Sequence, residues 1–228
     1  MAIADNISAV FEDIERAAAR SGREPGEVTV VAISKTRTAD EIGEAIGCGI
    51  SHIGENRVQE AARKIPEVGK QAVWHLVGHL QSNKIKRAAG LFDWIQSIDS
   101  MRMADLLALA AREADKPVDV LIQVNVSGER TKSGIAPAGA ADLVAYTSSL
   151  APLAVRGLMT IGTLGASELE ARREFGLMRR LFDDIRSGLA SGDPFDTLSM
   201  GMSGDYTAAV EEGATMVRIG TAIFGERP

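Results

Sequence analysis

Val28-Thr-Val-Val-Ala-Ile-Ser34 runs directly into Lys35. The run is short, β-branched and apolar, without the polar alternation of a half-exposed strand. That is the pattern of a strand covered on both faces, as in a parallel sheet. Similar runs recur at His52–Gly54, Val73–Gly78, Trp94–Ile98, Val118–Asn125, Val155–Ile161, Thr197–Met200 and Met216–Ile219. Helical stretches separate them, near Ala39–Ile46, Arg57–Ile65, Asn83–Gly90, Met101–Glu113, Ala138–Leu150, Glu168–Leu189 and Asp205–Glu212. Eight such units predict an α/β fold, a single closed (β/α)8 TIM-type barrel. An open doubly wound sheet is the alternative that the same pattern allows. A further helix leads the chain at Ile3–Arg20, with Ile3, Ile7, Val10, Phe11 and Ile14 at helical spacing. No linker or low-complexity tract interrupts the pattern, so residues 1–228 read as one domain, with nothing substantial expected after the eighth strand.

Composition narrows the function classes. Hydrophobic residues make up 45% of the 228 residues, enough for a sizeable core. The formal net charge of -6 argues against a nucleic-acid or anionic-membrane partner, which would need a basic face. Cys48 is the only cysteine, so no disulfide framework exists, which suits a reducing cytoplasm. The first twenty residues carry Asp5, Glu12, Asp13 and Glu15 and do not read as a signal peptide. Three scattered histidines and one cysteine have no metal-ligand spacing, so no metal is expected.

The active site of such a barrel lies at the C-terminal ends of its strands. Of seven lysines, only Lys35, after the first strand, and Lys132, after the fifth, are expected there. Lys64, Lys70 and Lys116 lie on helices or ahead of strands, at the opposite end. A strand-end lysine whose pKa is lowered by burial can form a Schiff base with an aldehyde; a solvated loop lysine would look the same. After strand seven, Ser199-Met-Gly-Met-Ser203-Gly204-Asp205 opens a helix, with Ser203 as its N-cap and Gly213 as its stop. Strand eight ends in Arg218-Ile219-Gly220-Thr221. Free backbone N–H groups, a glycine that admits close approach and a threonine hydroxyl together suit a phosphate, and the loops after strands seven and eight are its usual place in a barrel. A lysine beside a phosphate cup leaves two chemistries open: a Schiff-base aldolase acting on a phosphosugar, or a pyridoxal phosphate site.

Seven stretches resemble the pyridoxal phosphate homeostasis protein family. They are Ala32-Ile-Ser-Lys-Thr36, Ile53-Gly-Glu-Asn-Arg-Val-Gln-Glu60, Trp74-His-Leu-Val-Gly-His-Leu-Gln-Ser82, Lys132-Ser-Gly-Ile135, Gly157-Leu-Met-Thr-Ile161, Leu198-Ser-Met-Gly-Met-Ser203 and Met216-Val-Arg-Ile-Gly-Thr-Ala-Ile-Phe-Gly225. They occur in order over nearly the whole chain. The resemblance implies a fold-type III barrel similar to the alanine racemase N-terminal domain, with Lys35 as the cofactor lysine. It places Ser203 and the backbone of Gly220 and Thr221 on the phosphate, and Arg218 beside the pyridine nitrogen. A permanently charged guanidinium there would keep the ring nitrogen unprotonated and restrain carbanion chemistry. A structural salt bridge inside the barrel is the ordinary alternative for Arg218.

Asn56, at the end of strand two, is a candidate hydrogen-bond donor to the cofactor, with a plain loop cap as the alternative, and Met159 is a candidate for packing around the pocket. His79 lies nearer the mouth than His75, though a structural histidine is the ordinary reading of both; His52, at the start of its strand, is assigned no role. Racemases of this fold type carry a second, β-rich domain that supplies a tyrosine base, and a racemase needs two bases on opposite faces of the substrate carbon. This chain ends eight residues after Gly220, and its only tyrosines, Tyr146 and Tyr206, fall on helices. The expected function is therefore a cytoplasmic, monomeric protein that holds and delivers pyridoxal phosphate to apo-enzymes. A small amino-acid racemase is the alternative.

Overall fold

The structure, a computed structural model, describes residues 2–69, 71–129, 132–190 and 192–226. The order is α1 (Ile3–Arg20), β1 (Thr29–Ile33), α2 (Ala39–Gly47), β2 (His52–Glu55), α3 (Val58–Val68), β3 (Val73–Leu76), α4 (Ile85–Leu91), β4 (Trp94–Ile98), α5 (Met101–Glu113) and β5 (Val118–Gln123). It continues through α6 (Ala140–Ser148), β6 (Leu153–Met159), α7 (Glu168–Ser187), β7 (Thr197–Ser199), α8 (Tyr206–Glu211), β8 (Met216–Ile219) and α9 (Thr221–Phe224). The strands pair in sequence order into one closed, parallel barrel, and β8 returns to β1 with Val31 opposite Arg218 and Ala32 opposite Ile219. The open-sheet alternative is thereby excluded.

The unalternating strands are covered on both faces. Val30 and Ala32 join the main core with the helices, while Val31 and Ile33 pack with Val77 and Met216 in a separate cluster bordered by Trp94. Along α1, Ile7, Val10, Ile14, Ala17 and Ala18 form the buried stripe that rests on α2, α8 and α9. Phe11, expected on that stripe, lies at its edge, 36% exposed, because the alanines one turn on complete the contact. Each helix starts where local chemistry permits. Thr38 and Glu41 make a capping box for α2, and Ser167 and Glu170 make one for α7.

Several boundaries differ from the sequence reading. Strand one stops one residue, and strands three, five and six two residues, before the expected run ends. The helix after strand seven begins at Tyr206 with Asp205 at its N-cap position, so Ser203 is not that cap. A short helix, α9, follows the eighth strand, where nothing was expected.

Between β5 and β6 the register shifts, so that Val120 faces Val155 and Leu121 faces Gly157. Gly157 sits at φ 151°, and a Cβ there would come within 1.8 Å of the Thr197 carbonyl oxygen. That neighbour is backbone of β7 and cannot yield without opening the wall. Gly157→Ala is expected to destabilise the fold by at least about 3 kcal/mol, read as a lower urea midpoint; an unchanged midpoint would show that the bulge can relax.

Candidate functional site

The turn after β1 sets up the mouth. Thr36 takes a positive φ of 65°, and the Arg37 N–H closes the turn by donating to the Ser34 carbonyl, 3.0 Å away. The same carbonyl accepts from the Lys64 ammonium at 2.7 Å, and the Thr36 N–H donates to Glu60 at 3.1 Å. Lys35 is thus carried on a braced turn and is half-buried. Lys64, expected at the far end of the barrel, reaches back from α3 to the C-terminal ends of β1 and β2, where it also pairs with Glu55 at 2.6 Å. Burial pushes the Glu55 carboxyl up; Lys64 and the Ser34 hydroxyl, which donates to it at 2.7 Å, pull against that. Nothing in the spacing of Ser34, Glu55 and Lys64 announces this brace, because it depends on the tilt of α3 against the wall.

A cavity of about 650 Å³ opens at the mouth. Lys35, Asn56, Ser203, Arg218, Gly220 and Thr221 all line it. Its volume suits a small cofactor. A second cavity, of about 710 Å³, lies on the other side of Asn56 and is lined by Arg57, His79 and Lys84. It lacks Lys35, and His79 falls on it rather than beside the lysine.

The floor of the first cavity is Arg218, only 4% exposed. Its Nη1 donates to the Ser199 hydroxyl at 2.6 Å and its Nη2 to the Thr160 carbonyl at 2.7 Å. No carboxylate pairs with it among the described residues, so the salt-bridge alternative does not hold. Burial pulls its pKa down to about 10, against the favourable charge of Asp205, and it stays protonated at neutral pH. Three of the five guanidinium protons donate to no acceptor among the described residues.

On the opposite rim, the Ser203 hydroxyl accepts from the N–H groups of Gly220, at 3.2 Å, and Ala222, at 3.3 Å. The N–H groups of Ser203 and Gly204 have no acceptor among the described residues. Gly220 passes so close to β1 that a Cβ would touch the Ile33 carbonyl oxygen at 3.4 Å. An amine, a cation with unused donors and a rim of free N–H groups fit an aldehyde, a ring nitrogen and a phosphate respectively.

Two other candidates lie off the lining. Lys132 pairs with Glu129 at 2.6 Å and donates to the Thr163 hydroxyl, so it reaches the cavity wall only through Thr163. Met159 is fully buried in β6. The tyrosines are held elsewhere, Tyr146 by Asp105 and Tyr206 by Asp13. Among the described residues no group of histidine, cysteine and carboxylate side chains is placed to hold a metal ion. Among the described residues no helix is long and apolar enough to cross a membrane.

The family described as "Alanine racemase, N-terminal domain" matches residues 6–228. A protein of Escherichia coli K12 named pyridoxal phosphate homeostasis protein is 45% identical over 230 residues, spanning 99% of this chain and 97% of its own. One of the same name from Pseudomonas aeruginosa is 42% identical over 226 residues, spanning 99% and 96%. Among solved structures, PipY of Synechococcus elongatus PCC7942 with pyridoxal phosphate bound superposes with a TM-score of 0.81 at 38% identity, over 93% of this chain and 100% of PipY. Alanine racemase of Clostridium difficile 630, at 14% identity and a TM-score of 0.72, shares the fold alone. Matched from end to end at this level, the chain belongs to the pyridoxal phosphate homeostasis protein family, built on the alanine racemase N-terminal domain.

Proposed function

We propose that this protein binds pyridoxal phosphate at the barrel mouth, holds it through Lys35, and delivers it to other proteins instead of turning over amino acids on it. The observation that carries this reading is the convergence of Lys35, Arg218 and the Ser203–Gly220 rim on one cavity. The names of the relatives and the ligand of PipY support it.

When bound, the cofactor would supply an electrophilic aldehyde and a ring able to delocalise a carbanion. Lys35 provides the amine, from a turn braced by Lys64. The Ser203 hydroxyl and the neighbouring N–H groups orient the phosphate end. Asn56, on the wall beside Lys35, has its amide available to the ring substituents. Arg218 would meet the ring nitrogen with donors only, which would keep that nitrogen an acceptor and the ring a weak electron sink. The same mouth is open to water: Thr221, Gly204 and Leu164 on its rim are exposed. Water entry favours hydrolytic release, and it weakens the electrostatic help that carbanion chemistry needs. The two carboxylates on the lining are held by other groups, Glu168 by Arg172 and Asp205 by the Met202 N–H.

Three outcomes are expected. Borohydride treatment of the loaded protein should fix the cofactor on the peptide containing Lys35; label found chiefly on another lysine would remove Lys35 from the role. Ser203→Ala should weaken pyridoxal phosphate binding roughly ten- to a hundredfold, the value of a charge-assisted hydrogen bond, while hardly affecting pyridoxal. Equal losses for the two ligands would mean that Ser203 acts by holding the two loops together and not by meeting the phosphate. Loaded protein should restore activity to a pyridoxal phosphate-dependent apo-enzyme, while chiral analysis after long incubation finds alanine racemisation near background. Turnover of about 1 per second or more, abolished by Lys35→Ala, would replace the carrier with a racemase.

A further inference from the structure

Five side chains from five strands form a continuous line through the barrel interior. Arg218 on β8 donates from Nη1 to the Ser199 hydroxyl on β7 at 2.6 Å. Ser199 donates across the barrel to Gln96 Oε1 on β4 at 2.8 Å. Gln96 Nε2 meets His75 Nδ1 on β3 at 3.0 Å, and His75 Nε2 meets His52 Nδ1 on β2 at 2.9 Å. Ser199, Gln96 and His75 are essentially without solvent exposure, and His52 is half-buried at the start of β2, the end of the barrel away from the mouth.

The direction of this line has one solution. A guanidinium has no acceptor, so Ser199 must accept from Arg218 and pass its own proton on. Gln96 must then turn its oxygen to Ser199 and its NH2 group to His75, with the other amide proton near the Met216 sulfur at 3.1 Å. A flipped amide would set NH2 against a hydroxyl already facing a guanidinium and leave the hydroxyl proton with no acceptor. An NH2 group facing His75 Nδ1 requires that nitrogen to be bare. The neutral ring therefore carries its proton on Nε2 and donates to His52 Nδ1, and His52 carries its proton on Nε2. Burial holds both imidazoles below their usual range, in keeping with two neutral rings. Stacking of His75 on Trp94, with centroids 5.3 Å apart, fixes the plane of the ring.

We infer that Ser199, Gln96 and His75 are positioning residues, which hold the Arg218 guanidinium at the cavity floor through a one-way hydrogen-bond chain terminating at His52. The inference rests on the proposed site to the extent that Arg218 is taken to face the cofactor ring. The chain explains how a buried cation with no carboxylate partner keeps a single orientation: each neutral dipole in the line points its negative end toward the guanidinium. It also gives a use to two histidines that neither touch the cavity nor sit in metal-binding geometry.

Histidine-ring ¹⁵N spectra of the full chain without cofactor test the chain directly. At about pH 7, His75 should show a bare Nδ1 and a protonated Nε2; a proton on His75 Nδ1 overturns the chain. Gln96→Glu keeps the shape but presents acceptors at both ends, so His75 should switch to the Nδ1–H form. A Gln96→Glu protein that folds without that switch equally overturns it. Ser199→Ala should weaken pyridoxal phosphate binding roughly two- to tenfold and move the pyridine ¹⁵N resonance of the bound cofactor, which a merely structural serine would leave in place. If Arg218→Lys leaves that pyridine resonance unchanged, the ring contact of Arg218 is overturned, whereas the tautomer of His75 in cofactor-free protein judges the chain independently.

Discussion

The parallel pairing of β1 with β8 is the constraint on which the site depends. Its register sets Val31 beside Arg218 and Ala32 beside Ile219, so the turn carrying Lys35 and the loop carrying Gly220 and Thr221 leave the barrel side by side. These groups come from nearly opposite ends of the sequence. In an open sheet they would lie on two separate edges, each with a row of unpaired N–H and C=O groups. Closure removes both edges and creates the cavity in one step. The Gly157 bulge belongs to the same geometry, because a closed wall tolerates an extra residue only where the neighbouring backbone can approach closely.

Two cations, Lys64 half-buried and Arg218 buried, flank the wall at the mouth and are satisfied in opposite ways. Lys64, on the outer side, meets a carboxylate, Glu55, as well as the Ser34 carbonyl. Its role is mechanical, tying α3 to the turn beneath Lys35. Arg218, on the inner side, meets a hydroxyl and a carbonyl and, among the described residues, no carboxylate. A carboxylate in contact with it would use up the guanidinium and neutralise its field. Dipoles hold it in place and leave its charge directed at the cavity.

The barrel was legible in the sequence because its strands are covered on both faces and therefore read as unbroken apolar runs. The positions of Lys35, Ser203, Gly220 and Thr221 followed from counting units, since the end of a strand in such a fold is the mouth, whereas Arg218 entered through the family resemblance alone. What spacing could not reveal were contacts across the barrel or between wall and helix. Gln96 and Ser199 look like stray polar residues in strands, and they meet only because closure brings β4 and β7 face to face. Lys64 lies in the sequence on a helix, and its four-carbon stem is long enough to reach the other end of the strand layer. Ser203 reads as the cap of the following helix, yet its hydroxyl serves the loop after β8, which no local rule anticipates.

The packing of α1 on α8 and α9 bears on how the chain is made. Ile7, Val10 and Ile14 have only α2 for cover, and one edge of β1 has no partner, until the eighth strand emerges from the ribosome, roughly ten to forty seconds after the first. Contacts of such sequence separation are slow to form even in the finished chain. A half-synthesised protein therefore presents an apolar stripe beside an open strand edge, the combination most prone to wrong pairing with another chain. Commitment to the native state waits for the eighth strand, and holding chaperones would be most useful to this molecule in the interval before it.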